Sequence, residues 1–323
     1  MERSTADFLT MKVRLTHIDG RLPNLALMRL ARYHRDRGDE VHLSYDLTPG
    51  LFEPTYDVVY GSSIFLFSVP RLQLFRANFP DAIIGGTGTE NWTTLEDLIP
   101  EIPDRYDYSI YPNFDASLGF MQRGCRLKCP FCVVPRKEGA PVYNMSIADI
   151  YRGEPYPRHL HLLDNDFFSV PEWERAIEDI IEGGFKVCLT QGINVRMITE
   201  KAAAALARID YRGNDFKAKR IYTAWDNLKQ ENVFFRGMDR LEAAGVPPGH
   251  IMAYMLIGYD PKETWERILY RFEKIRDRGI LPYPMVYDQE RKDLKAFQRW
   301  VVRRYYELVS WDEYCKNKKV QLR

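Results

Sequence analysis

Apolar and polar positions along the chain keep two rhythms. Short apolar runs at 12–18, 41–45 and 58–67 predict strands. Between the first two, Leu27, Leu30, Ala31 and Tyr33 fall at helical spacing within 23–38, and Gly38 closes that helix. A second helix is predicted over 70–79, and Ala82, Ile83 and Ile84 form a fourth short strand running into Gly85-Gly86-Thr87-Gly88. Strands that alternate with helices predict a small parallel, doubly wound (Rossmann-like) domain, expected over residues 1–100. Such sheets take ligands at the carboxyl ends of their strands. Residues 90–112, rich in proline, acids and Tyr106, Tyr108 and Tyr111, read as a connection. The rhythm returns near Ala116. Strands are predicted over 116–120, 159–163, 186–190, 220–224, 250–257 and 282–286, with helices over 172–182, 200–207, 233–244 and 262–278. The fold class is α/β: a six-fold strand–helix domain over 101–290, then a helical extension over 291–323. In that extension Trp300, Tyr305, Tyr306 and Trp311 lie among Arg299, Arg303 and Arg304. They read as the inner face of a helix with a solvated outer one.

Composition narrows the function classes. The chain has 323 residues, 45% hydrophobic and 28% charged, enough for a sizeable core. A formal charge of +1 argues against a general nucleic-acid coat, so nucleic acid is not a favoured partner. The first seven residues contain no apolar signal core, and no run reaches membrane-spanning length. A cytoplasmic protein without a membrane partner is expected, and its five cysteines are then expected reduced.

Three of those cysteines, Cys125, Cys129 and Cys132, stand in the stretch Gly124-Cys125-Arg126-Leu127-Lys128-Cys129-Pro130-Phe131-Cys132. A loop this tight can turn three thiolates toward one point, which points to a soft metal or an iron–sulfur cluster. Structural zinc is the alternative and needs a fourth Cys or His, the nearest downstream being His159 and His161. Cys188 and Cys315 stand apart, too few to hold a second cluster. The C-x-x-x-C-x-x-C spacing, with the aromatic Phe131 before its last cysteine, resembles the signature of the radical S-adenosylmethionine superfamily. The flanking Phe120-Met121-Gln122-Arg123 and Val133-Val134-Pro135-Arg136-Lys137-Glu138-Gly139 look like members that carry a cobalamin-domain-like segment before the barrel.

That resemblance implies a partial (β/α)6 barrel and a [4Fe-4S] cluster ligated by the three cysteines. It implies reductive cleavage of S-adenosylmethionine to a 5′-deoxyadenosyl radical, and hydrogen abstraction from a substrate the sequence does not name. The implied electron donor is of the flavodoxin or ferredoxin kind. Carried over by position, the cofactor contacts are Phe131, then Asp164 and Asn165 after the second strand, and Gln191, Asn194 and Arg196 after the third. Asp226 follows the fourth, and Ile257 and Gly258 end the fifth. Strand alternation running back from Gln191 turns Leu189 and Val187 inward and Cys188 toward the helices. Asp166 reads as an Asx turn capping the next helix. Cobalamin is possible but not favoured. The lower-ligand pattern D-x-H-x-x-G is absent from Thr16-His17-Ile18-Asp19-Gly20, although Ser62-Ser63 and Gly85-Gly86 resemble parts of that fold. Two alternatives stay open: a cobalamin-dependent methyltransferase, and a non-enzymatic iron–sulfur or zinc protein that senses redox state or binds RNA.

Overall fold

The computed structural model describes residues 10–89 and 94–322. The first seven residues, expected to lack a signal core, lie outside them, as do residues 90–93 of the connection. The chain forms two compact α/β units that divide between Asp115 and Ala116, later than the expected position 100.

In the first unit β1 (Lys12–His17), α1 (Leu25–Asp36), β2 (Glu40–Ser44), β3 (Val58–Ser62), α2 (Val69–Asn78) and β4 (Ile83–Gly85) alternate as expected. The strands run parallel in the order β2-β1-β3-β4. Helix α1 begins where the Asn24 side chain accepts the Ala26 and Leu27 N–H groups, and it buries Leu27, Met28, Leu30 and Ala31. On the other side Ile18, Leu47, Leu72 and Phe75 form a second small core. The predicted strand over 58–67 stops at Ser62. There the Asp19 carboxylate accepts the Ile64 and Phe65 N–H groups and the Ser63 hydroxyl, bending the chain out of the sheet. The Gly85-Gly86 turn is occupied by the chain itself, since Ser63 N–H donates to Gly85 O and Gly88 N–H to Ser63 O. A short helix, α3 (Leu95–Leu98), follows behind a Thr94 capping box.

The second unit opens with β5 (Ser117–Gly119) and a two-stranded antiparallel ribbon, β6 (Gln122–Arg123) with β7 (Val142–Tyr143), which enclose α4 (Val134–Lys137). It continues through α5 (Ile147–Ile150), β8 (His159–Leu162), α6 (Trp173–Glu182), β9 (Lys186–Leu189), α7 (Glu200–Arg208), β10 (Asp210–Tyr211), β11 (Ile221–Ala224) and α8 (Glu231–Ala243). Next come β12 (Ile251–Ile257), α9 (Trp265–Asp277), β13 (Leu281–Val286), α10 (Lys292–Val302) and α11 (Trp311–Lys318). Two parallel sheets result, β10-β9-β8-β5 and β11-β12-β13. Just past β9, Ile193 joins them: its N–H donates to Tyr222 O, and its carbonyl accepts the Thr223 hydroxyl.

One core runs under the helices and contains Leu160, Leu162, Val187, Leu189, Ala253 and Met255 from the strands. The 291–323 segment is no separate extension. Leu294, Phe297, Trp300, Val301, Trp311 and Tyr314 belong to this same core, and Trp311 stacks on Trp265 at 5.3 Å. Trp300 and Trp311 are interior and Tyr306 packs against them, whereas Tyr305 is exposed; Cys315 is buried in the same core. Among the described residues no helix is long and apolar enough to cross a membrane.

Candidate metal centre

The cysteine loop leaves β6 at Gly124, whose φ of +83° suits glycine and where a Cβ would stand 2.3 Å from the Ala140 carbonyl oxygen. Three carboxylates then hold the loop. Asp164, buried just past β8, accepts the Gln122 N–H at 2.7 Å and the Met121 N–H at 3.3 Å. Glu138 accepts the Gly124 N–H at 3.0 Å, Arg123 Nη2 at 2.9 Å and Asn165 Nδ2 at 3.0 Å. Asp166 takes the Arg126 guanidinium as a fork, at 2.7 and 2.9 Å, together with the Arg126 N–H at 3.3 Å. Burial pushes the Asp164 carboxyl up to about 7 against the backbone N–H groups that favour its charge.

The three thiols are free and half-buried. Burial, then the neighbouring Asp166 and thiols, raises Cys125; burial, then Cys129, Glu138 and Asp226, raises Cys132. The Leu127 N–H points at Cys125 Sγ from 3.4 Å, and Arg196 Nη2 stands 3.9 Å from Cys129 Sγ. Among the described residues no three His, Cys, Asp or Glu side chains already converge as a set for one ion. The histidines that zinc would recruit are engaged elsewhere: His159 stacks on Phe216 at 4.5 Å, and buried His161 meets Thr190 Oγ1 at 3.3 Å. Three thiols in one loop are a donor set that an iron–sulfur cluster takes.

Beside the loop lies a pocket of about 590 Å³, lined among others by Cys129, Phe131, Arg196, Asp226, Leu256 and Tyr259. The Phe131 ring meets Tyr259 edge-on at 5.4 Å, and Tyr259 meets Tyr287 at 5.0 Å, making one aromatic wall. Asp226 accepts the Leu256 N–H at 3.0 Å, and burial raises its carboxyl against the pull of Arg271 and Arg196. Arg271, wholly buried, fixes this corner by donating to the Trp225 and Leu256 carbonyls and to Glu263. Sequence reading missed Arg271, Glu263 and Tyr259; of these only Tyr259 stood next to a residue it had picked.

The pocket thus gathers Phe131, Arg196 and Asp226 of the expected contacts, and the others fall elsewhere. Asp164 and Asn165 face the loop and brace it. Asp166 forms no helix cap and holds Arg126 instead. Gln191 is exposed in a turn and does not line the pocket. Asn194 is outside the lining, with both amide atoms buried and unpartnered. Ile257 is wholly buried and its carbonyl accepts the Tyr287 N–H, so Leu256 is the residue of this strand that reaches the pocket. At Gly258 a Cβ would stand 2.5 Å from Leu294 Cδ1, so the close approach expected there is made by α10. The alternation along β9 is also reversed. Val187 and Leu189 pack under the helices, while the Cys188 thiol, raised to about 11 by burial, donates to Asn214 Oδ1 at 3.2 Å. No protein-family model matches the chain, and no curated protein matches its sequence.

Proposed function

We propose that the second unit is a radical S-adenosylmethionine enzyme built on a partial (β/α)6 barrel, with Cys125, Cys129 and Cys132 holding a four-iron cluster. The observation that carries this reading is a three-thiol loop, braced by three carboxylates, beside a pocket of about 590 Å³ that opens on Cys129 and Phe131. A cluster held by Cys125, Cys129 and Cys132 would supply the one-electron reduction, with electrons from a flavodoxin- or ferredoxin-class donor, that cleaves the C5′–S bond of S-adenosylmethionine to methionine and a 5′-deoxyadenosyl radical able to take a hydrogen atom from substrate.

The chain's own residues bind and orient. Arg196 receives the methionyl carboxylate with its planar fork. Asp226, held by the Leu256 N–H and buried, accepts from the ribose hydroxyls. Phe131, Tyr259 and Leu256 give the adenosyl group an apolar wall that keeps water from the reacting bond. Methyl transfer through cobalamin is not favoured by the first unit. His17 there is enclosed between Tyr45, stacked at 5.3 Å, and Tyr111, edge-on at 5.8 Å, with Gly20 beside its Nε2. Anaerobic reconstitution with iron and sulfide is expected to give about four irons per chain, and the reduced protein to release 5′-deoxyadenosine from S-adenosylmethionine. Zinc uptake without iron would transfer support to the non-enzymatic reading.

A further inference from the structure

We infer that the substrate of this pocket carries two negative charges, as a phosphate ester or as paired carboxylates, and that Lys128 and Arg267 bind them. The inference rests on the reading just given and names the substrate class for that same site. Three cations line the pocket of about 590 Å³: Arg196, Lys128 from the cysteine loop, and Arg267 from the first turn of α9. Among the described residues none of the three forms an ion pair. Arg196 meets the Cys129 sulfur, and Arg267 Nη1 donates to the Lys262 carbonyl at 3.2 Å. The lining also has three acids, and each has a partner of its own. Glu263 pairs with Arg271 and accepts the Gly258 N–H at 3.3 Å. Asp226 accepts the Leu256 N–H at 3.0 Å, and Asp260 the Lys262 N–H at 2.9 Å.

S-adenosylmethionine answers one of these cations. Its one carboxylate goes to Arg196, while its ammonium and sulfonium bring positive charge, so Lys128 and Arg267 are left for a second ligand. The place of Arg267 is itself a signal: a cation in the first turn of a helix stands against the macrodipole, and an anion beside it relieves that cost. The chemistry of the ligand follows from the pair. A lysine ammonium is a point charge and an arginine guanidinium a planar fork, and both donate without accepting. A phosphate ester carries close to two negative charges near neutral pH and has oxygens enough for both groups. Two carboxylates on one substrate carry the same charge. An uncharged substrate would leave both cations unanswered.

The test uses the reconstituted full chain, saturated with S-adenosylmethionine and left unreduced. Phenyl phosphate and succinate are the probes, with phenol and succinamide as their uncharged counterparts. Calorimetry at low ionic strength is expected to show binding of at least one dianion and of neither counterpart, and which dianion binds identifies the source of the charge. Added salt should weaken that binding. Lys128→Met and Arg267→Met should each weaken it about tenfold with iron content unchanged. Lys201→Met, exposed and outside the pocket lining, should not. The inference is overturned if wild type binds neither dianion, if the uncharged counterparts bind as well, if the two pocket variants bind as wild type does, or if Lys201→Met costs as much as they do. Iron and S-adenosylmethionine uptake are measured first on the same sample. Their failure would overturn the functional reading and the substrate role with it, whereas uptake followed by no dianion binding overturns this inference alone.

Discussion

Replacing Asp166 with Asn keeps the shape of the side chain and removes the charge that holds Arg126. The native carboxylate accepts two guanidinium bonds, at 2.7 and 2.9 Å, and is itself almost wholly buried, whereas the Arg126 side chain is 30% exposed. A charged hydrogen bond contributes about 1.5–3 kcal/mol. Screening on the arginine side reduces the two together to about 2–3 kcal/mol. The loop must be ordered to bring three thiolates to one cluster, so this loss reappears in iron retention. At about 1.4 kcal/mol per tenfold it predicts iron held about 30- to 150-fold less tightly. The assay is chelator competition on the anaerobically reconstituted protein, followed by visible absorbance, with circular dichroism melting as the control for folding. Arg126→Gln should match it, and the double variant should cost no more than either single one, since both remove one interaction. Iron retention equal to wild type in Asp166→Asn, or fully additive losses in the double variant, would refute the brace.

Four further outcomes are expected. Cys125→Ala, Cys129→Ala and Cys132→Ala should each abolish iron binding, while Cys188→Ala and Cys315→Ala keep it; iron counts on the five variants decide. Arg196→Ala should keep iron and weaken S-adenosylmethionine binding by about 1.5–3 kcal/mol, whereas Gln191→Ala, exposed in its turn, should leave calorimetric affinity unchanged. Burial lowers the His17 pKa below its ordinary 6.5. The unfolded chain then binds the extra proton first, so stability is full above about pH 6.5 and falls as pH drops through that value. Urea midpoints at pH 7.5 and 5.5 should separate in wild type and draw together in His17→Gln. Finally, protein incubated with hydroxocobalamin and desalted should retain no corrin absorbance; stoichiometric retention would make methyl transfer the leading activity.

The alternating strands and helices were legible because parallel strands are continuous apolar runs between amphipathic helices. The same property hid the phase of β9. Val187, Cys188 and Leu189 are all nearly or wholly buried, so hydrophobicity alone does not say which of them faces the helices. The thiol loop was legible from spacing within eight residues. Its brace was not, because Asp164 and Asp166 reach back some forty positions to Gln122 and Arg126, a pairing only the packing of β5 against β8 creates. At Gly258 the residue type signalled a close approach, and the packing of α10 decides that Leu294 makes it.

Three acids around three thiols would be a repulsive arrangement if their charges were unanswered. They are answered locally: Asp166 by Arg126, Glu138 by Arg123 and the Gly124 N–H, and Asp164 by two backbone N–H groups and by burial that favours its proton. The brace therefore commits Arg123 and Arg126 to the loop. Arg196 differs from them. Among the described residues it forms no ion pair; its guanidinium lines the pocket 3.9 Å from Cys129 Sγ and pulls against the burial that raises the Asp226 carboxyl. A cation that lines a pocket without an ion pair is placed to receive an anion from outside. For that reason the loss of Arg196 should appear in ligand affinity and leave iron content intact, and the loss of Arg126 should do the reverse.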